Sequence, residues 1–503
     1  MSICRRRPPC YTPPYVFQTM HKIIRELKHG EKGVAVWGLG YIGYSSMAYF
    51  ARAGIRCVGF DVLEEKVRQI NENGKLQHKG ETALPNLDFW IGFDVEPMLH
   101  DGLIKATTNW KDLVSNEFPV HLVAVPTEKA DESGQHRPYT KHLKDVFENL
   151  ARYKNVKTDY PPLVIVESTL PTYILDELII PLLAKKGLKL GKDILLGIAP
   201  RRDWFVDPDK TLKTLPRVVG GTNKETTDVM ADVLGLICDT VLKADDHNHA
   251  SIVKSIENAY RQMEITLANQ LSVAYPDLNM KHILKLVGTK WNIGTYHPSF
   301  GTGGYCIPLA PHYVLEGAKN PAALTLLKHS VEFDDQHPER VVRSLIERGV
   351  KKVGILGVAY TSDIKVHVLS PAVKITKLLQ EQGIQVKVND PYYSERELRE
   401  ITGAETFVFP EGLAEFDTVL LVSGHSKYRY TNHDLIKKNL KKCTLILDNT
   451  GAWKHIDFGS TEYHEAGDRN WLKPDTEKKT PPRTARSRSK KKSRIEKKIS
   501  RRK

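Results

Sequence analysis

A chain of 503 residues that is 41% hydrophobic and 27% charged carries enough apolar material for about three packed domains. Its formal net charge of +14 is gathered between residues 473 and 503 and, at the start, on Arg5, Arg6 and Arg7, so the body is far closer to neutral and the basic total says little about it. Three classes drop out: six scattered cysteines without a CxxC pair argue against a metal site such as zinc and fit reduced thiols in a cytoplasmic setting, no apolar run nears the roughly twenty residues of a membrane span, and the Arg- and Pro-rich start has no secretory apolar stretch.

Residues 1–28 read as a loose lead-in that ends in a short helix over 21–28. Residues 33–37 form a short apolar strand that runs into Gly38-Leu39-Gly40-Tyr41-Ile42-Gly43, a helical stretch over 45–53 and a second strand over 54–60 that ends on Asp61. Strand, GxGxxG, helix, strand and an acid about twenty residues on is the dinucleotide fingerprint in the context it needs. The glycines allow the tight turn and the approach of a pyrophosphate, and the helix N-terminus offers it free N–H groups. Asp61 would accept hydrogen bonds from ribose hydroxyls and repel a 2′-phosphate, so NAD is expected rather than NADP.

Residues 121–125, closed by Pro126 and Thr127, and 163–167, closed by Ser168, Thr169, Leu170 and Pro171, are further strands. Their ends carry small polar groups where ligands of open α/β sheets sit, although Ser and Thr there also cap helices. Residues 193–200 read as another strand and 216–221 as the last of this domain.

From 223 to about 327 the pattern is mostly helical, and 249–274 runs without Pro or Gly, long enough for a central helix. Lys254 and Asn258 share one face of it, with Arg261 a turn along. A helical lysine is most often a solvated charge; the asparagine beside it, ahead of a cysteine loop, singles this one out. That loop is Phe300-Gly301-Thr302-Gly303-Gly304-Tyr305-Cys306-Ile307-Pro308. A thiol fixed by glycines attacks an electrophilic carbon if its thiolate is favoured; a structural Cys in a tight turn has the same sequence.

Residues 328–347 read as helix with a break or restart at Pro338. A second α/β unit opens at 352–358, with strands at 385–389, 418–422 and 444–448. Two Rossmann-like halves and a helical connector suggest two nucleotide-type ligands facing each other across a cleft. From about Asp457 the character changes, and the Lys/Arg/Ser-rich residues 480–503 are expected to be disordered. A solvated basic tail outweighs contact with nucleic acid or an anionic surface there.

From Gly33 to Lys454 these motifs resemble the UDP-glucose/GDP-mannose dehydrogenase family of nucleotide-sugar 6-dehydrogenases, nearest the branch acting on UDP-N-acetylhexosamines. Besides the fingerprint and the cysteine loop, the resemblance is carried by Val125-Pro126-Thr127, Glu167-Ser168-Thr169-Leu170-Pro171 and the tract 215–221. It is carried further by Lys254-Ser255-Ile256-Glu257-Asn258, Gly357-Val358-Ala359-Tyr360 and the tract 448–453.

The resemblance implies an α/β fold in which two Rossmann-like domains are joined by a long central helix and a helical dimerisation domain. The boundaries are 1–28 for the lead-in, 29–222 for the NAD domain, 223–335 for the central domain, 336–458 for the UDP-sugar domain and 459–503 for the tail. It implies NAD, a nucleotide-sugar substrate, a homodimer or larger homo-oligomer, and oxidation of a sugar C6 alcohol to the acid through a Cys thiohemiacetal and thioester. By resemblance Cys306, Lys254, Asn258 and Thr169 are catalytic. Gly38, Gly40, Tyr41, Ile42, Gly43, Asp61, Pro126, Thr127 and Ser168 would hold the cofactor, and Phe300, Gly301, Gly303, Gly304, Arg217 and Tyr360 the substrate.

Five positions depart from the family pattern: Arg201 and Ala310 stand where it has acids, and Thr361, Val368 and Thr450 where it has cations. Asp203 is the nearest carboxylate to replace the first acid. Three readings stay open: a full dehydrogenase with rearranged helpers, an oxidoreductase that stops at or cycles through the aldehyde, and a nucleotide-sugar-binding homologue without turnover.

Overall fold

The computed structural model describes residues 22–73, 77–78, 81–82, 91–130, 136–203 and 209–473. The lead-in before 22, with Arg5, Arg6, Arg7, Cys4 and Cys10, and the basic residues from 474 on lie outside them, so the expectations about the tail's disorder and contacts do too.

Runs of four consecutive buried residues make strands covered on both faces, as parallel sheets require: β1 (Val34–Trp37), β4 (Val120–Val123), β5 (Leu163–Val166) and β6 (Leu195–Ile198). With β2 (Cys57–Phe60), β3 (Ile104–Thr107), β7 (Arg217–Gly221) and β8 (Val241–Lys243) they form one sheet in the order β8-β7-β6-β5-β4-β1-β2-β3. The first six strands in the chain follow the doubly wound order 3-2-1-4-5-6, whose ligand crevice lies at the carboxyl ends of β1 and β4. Only the β6–β7 pairing is antiparallel, so β7 and β8, parallel to each other, run opposite to the other six. Inside the sheet His121 lies fully buried between the Trp37 indole N–H, 3.1 Å from Nδ1, and the Tyr153 hydroxyl, 2.9 Å from Nε2. Burial lowers its pKa to about 3.

The second sheet repeats the plan. Strands β9 (Lys352–Leu356), β10 (Gln385–Asn389), β11 (Glu405–Thr406), β12 (Thr418–Leu421), β13 (Leu445–Asp448) and β14 (Glu462–Glu465) are all parallel, in the order β11-β10-β9-β12-β13-β14. The register matches as well. Trp37 pairs with Phe60 and Leu356 with Asn389, and each pair is followed by a glycine of positive φ on one strand, Gly38 or Gly357, and an aspartate on the other, Asp61 or Asp390. The copies differ at that aspartate: Asp390 is fully buried and closed off by His425 Nε2 at 3.0 Å.

Four helices matter for the site: α1 (Tyr41–Arg52), α2 (His247–Ala274), α3 (Ala310–Glu316) and α4 (Thr325–Glu347). The central helix starts where Asp246 caps it, accepting the His249 N–H at 2.9 Å.

Three expectations need correction. The first domain does not close at 221: β8 adds to its edge, too short at three residues to be separated from loop by pattern alone. The helix α4 runs unbroken through Pro338, because that ring packs on Gly301 and the bend at a proline needs no chain break. The second domain does not end at 458. Strand β14 completes its sheet and Trp471, 1% exposed, stacks on Phe300 with ring centroids 6.0 Å apart, so residues 459–473 belong to the fold.

Candidate active site

The fingerprint turn is built by steric necessity. Gly38 takes φ of 90°, and a Cβ there would lie 2.6 Å from the Ala124 carbonyl; a Cβ on Gly43 would lie 1.9 Å from the Gly38 carbonyl. Gly40, the N-cap of α1, has nothing within 4 Å of its missing Cβ and no side-chain cap. Open space before uncapped N–H groups is the cradle a diphosphate needs. Asp61 accepts Leu39 N–H at 3.0 Å, Leu63 N–H at 3.0 Å and Lys66 Nζ at 2.8 Å. That leaves about one of a carboxylate's four acceptor sites for a ribose hydroxyl. These residues fit NAD.

Small polar groups expected at the strand ends are tied to one another. Ser168 Oγ donates to the Val125 carbonyl at 2.8 Å and Thr127 Oγ1 to the Thr169 carbonyl at 2.8 Å, while Pro126 is exposed. Ser251 of α2 donates to the Leu170 carbonyl at 2.9 Å, docking the central helix on the same turn. One turn further along α2 comes half-buried Lys254, and then Asn258, 7% exposed, whose Nδ2 has no partner among the described residues.

The cysteine loop is held by the central helices and the second domain. Asn269 accepts Ser299 N–H at 2.7 Å, Asn449 accepts Phe300 N–H at 2.8 Å, Asp334 accepts Thr302 N–H at 3.3 Å together with the Thr302 hydroxyl, and Gly304 N–H donates to the Val368 carbonyl at 2.8 Å. Gly304 has φ of 87°, and a Cβ there would meet the Tyr360 ring at 2.8 Å; Gly303 would meet Tyr360 Cβ at 2.6 Å. Cys306 is the only exposed thiol among the described residues. Tyr360, packed on Gly303 and Gly304 of this loop, has its ionisation suppressed chiefly by burial, and Tyr313, seven residues past the thiol, donates to the Thr127 carbonyl at 3.0 Å. Tyr41, of the fingerprint, reaches the Lys365 backbone in the second domain.

Two expectations fail here. Arg217 does not face a substrate. It is 2% exposed, ion-paired with Glu167 at 2.5 Å and bonded to the Ala199 carbonyl. It opens β7 in register with Val241 of β8, ahead of the two residues that pair antiparallel with β6. Nor is Asp203 free to act as a base. Arg201 binds it in a fork at 2.7 and 2.6 Å, and Arg201 Nη1 reaches Ser46 Oγ at 2.6 Å and the Ile42 carbonyl at 3.0 Å, while Ser46 donates to Glu167 at 2.7 Å. Burial pulls the Asp203 carboxyl upward, but the guanidinium outweighs it and holds the pKa below the usual range. Of the other departures, Ala310 is buried and its N–H caps the Cys306 carbonyl at 3.1 Å, and Thr450 bonds to Asp448 at 3.1 Å.

Sequence reasoning missed Tyr313, Asp334, Asn269 and Asn449. Tyr313 follows Cys306 by seven residues, two helical turns, a spacing that was available; the others reach the loop from remote elements and carry no local signal.

Comparison with known proteins bears on the same residues. Residues 32–235 match the NAD binding domain of the UDP-glucose/GDP-mannose dehydrogenase family, 248–336 its central domain and 354–455 its UDP binding domain. Protein CapL of Staphylococcus aureus is 27% identical over 450 residues, covering 84% of this chain and 96% of that protein. The UDP-N-acetyl-D-mannosamine dehydrogenase of Methanocaldococcus jannaschii is 26% identical over 448 residues, covering 85% and 95%. The solved UDP-D-ManNAc dehydrogenase of Pyrococcus horikoshii shares the fold, with a TM-score of 0.71 at 24% identity over 86% of this chain and 99% of that one. Among the described residues no helix is long and apolar enough to cross a membrane. With all three of its domains matched in order along the chain, this protein belongs to the UDP-glucose/GDP-mannose dehydrogenase family.

Proposed function

We propose that this chain oxidises the C6 hydroxyl of a UDP-hexose or UDP-N-acetylhexosamine, using NAD and Cys306. The observation that carries the reading is an exposed thiol on a glycine loop tethered to the central helices and to the second domain, with Tyr313 just beyond it donating to the Thr127 carbonyl of the first. Bound NAD supplies the hydride acceptor for each oxidation. Gly38, Gly40 and Gly43 leave room for its diphosphate, Asp61 takes a ribose hydroxyl, and Thr127, Ser168 and Tyr41 wall the remaining edge.

Once C6 is an aldehyde, Cys306 Sγ bonds to it and the carbonyl oxygen becomes an alkoxide. Lys254 brings a positive charge to that oxygen. The Nδ2 of Asn258, buried and without a partner among the described residues, is a donor held ready for it. Loss of the second hydride leaves a thioester on Cys306, and water attack releases acid and thiol. Thr169 borders the side from which that water comes. Phe300, Gly301, Gly303, Gly304 and Tyr360 shape the hexose pocket.

One observation favours a second outcome. The Arg201–Asp203 pair ties up the nearest carboxylate that would replace the missing acid, a contribution of about 10²–10⁴ in rate, so thioester hydrolysis is the slow step, and return of the second hydride from NADH regenerates the thiohemiacetal, which releases aldehyde and thiol. The exposed Ile256, Tyr260 and Leu267 on α2 support assembly with a second copy. Incubating purified protein with NAD and a panel of UDP- and GDP-sugars, with NADH absorbance and product mass followed together, separates the outcomes. Acid supports the full reaction and aldehyde the truncated one, whereas no NADH with any sugar rejects both.

A further inference from the structure

We propose that Asp334 is a positioning residue for the Cys306 loop: its carboxylate, anchored on α4, holds Thr302 and through it the glycine hinge that carries the thiol. The geometry is specific. Both the backbone N–H and the hydroxyl of Thr302 point at this one carboxylate. One turn on, Pro338 lies against Gly301, with 3.5 Å between its Cγ and the position a Cβ would take. His337, between them, faces the Ser299 carbonyl at 2.8 Å. A single stretch of α4 therefore grips the loop at Ser299, Gly301 and Thr302.

Asp334 is 8% exposed. Among the described residues no cation pairs with it. From the loop it meets Thr302, from α2 the Gln262 amide, and on its own helix the Asp335 carboxylate, which adds repulsion. Burial pushes its pKa up to about 6. A raised carboxyl contributes stability that is present below its unfolded value, about 3.9, and is lost as pH rises through 6. At neutral pH the ionised form therefore burdens the fold while giving Thr302 a charged acceptor, as a group kept for geometry rather than for stability would. The consequence for catalysis rests on Cys306 being the nucleophile; the hold on the loop does not.

The test compares wild type with Asp334→Asn, which keeps shape and removes the charge. The variant melts higher by roughly 2 °C or more at pH 8, and the difference shrinks at pH 5. Amide exchange of residues 299–306, corrected for intrinsic rates, speeds up in wild type as pH falls through 6 and shows no such step in the variant. With a UDP-sugar that turns over, kcat of wild type carries the same step and the variant loses it, with KM little changed. If Asp334→Asn does not fold, Thr302→Val replaces it: removing one donor moves the exchange step to higher pH. A melting difference equal at both pH values, or an exchange step shared by both proteins, overturns the proposal. An exchange step without oxidation of any sugar leaves the loop assignment standing and removes the proposed function.

Discussion

Arg201 decides how the buried polar groups of the first domain are arranged. It is 1% exposed, and its guanidinium joins Asp203, Ser46 and the first turn of the fingerprint helix. Removing it strands Asp203 and loosens the Ser46–Glu167–Arg217 chain, and breaking a buried pair costs about 3–5 kcal/mol. Arg201→Ala should therefore lower the thermal midpoint and weaken NAD binding together, measurable by calorimetry with and without NAD. Lys254→Ala should instead leave the melt near wild type and lower kcat by about 10²–10³-fold, since a half-buried cation aimed at a developing alkoxide acts in the transition state. Sequence reading singled out Cys306, Lys254, Asn258 and Asp61 because each sits in a local pattern with a chemical rationale. It misplaced Arg217 and Asp203, whose partners, Glu167 and a guanidinium turned inward, depend on how strands and loops cross.

The strand and helix scale was the most legible. Apolar runs bounded by Gly and Pro mark β1, β4, β5, β9 and β13, and the uninterrupted stretch before the cysteine loop marks α2. What stayed hidden was short or contextual: β8, with three residues, and the continuity of α4 through a proline that finds its packing on Gly301. The cysteine loop is the element most sensitive to one atom. A methyl at Gly304 meets the Tyr360 ring and a φ of 87° that costs about 1–2 kcal/mol for other residues. Gly304→Ala should cut turnover and leave NAD binding unchanged, checked by kcat beside a cofactor titration. Acid should destabilise the protein through its strands and helices. His121 in β4 titrates near 3 and His337 in α4 near 4, both lowered by burial. A lowered imidazole contributes stability that is intact above the unfolded value, about 6.5, and falls by about 1.4 kcal/mol per pH unit below it until the folded pKa is reached. Thermal midpoints recorded from pH 7 to pH 4 should fall steadily.

Over the whole molecule, two sheets share the strand order 3-2-1-4-5-6, and the cysteine loop is bound to the central helices and to the second domain. That plan was readable from two βαβ patterns and one long helix, but the end of the second domain was not, because Trp471 earns its place only by stacking on Phe300 from more than a hundred residues away. Cutting the chain after residue 479, ahead of the Lys/Arg/Ser-rich run, should keep activity within about two-fold. Cutting before 459 removes β14 and Trp471 and should abolish soluble expression, since losing a buried Trp side chain alone costs about 3–5 kcal/mol. The account stands on the thiol meeting an aldehyde made in the same cleft. The direct measurement is NADH formed per sugar consumed, with product mass, for wild type and Cys306→Ala. Wild type should give acid with two NADH per sugar, and the variant at most one NADH, with acid formation down by about 10³-fold or more. Acid formed by Cys306→Ala with two NADH at the wild-type rate would contradict it.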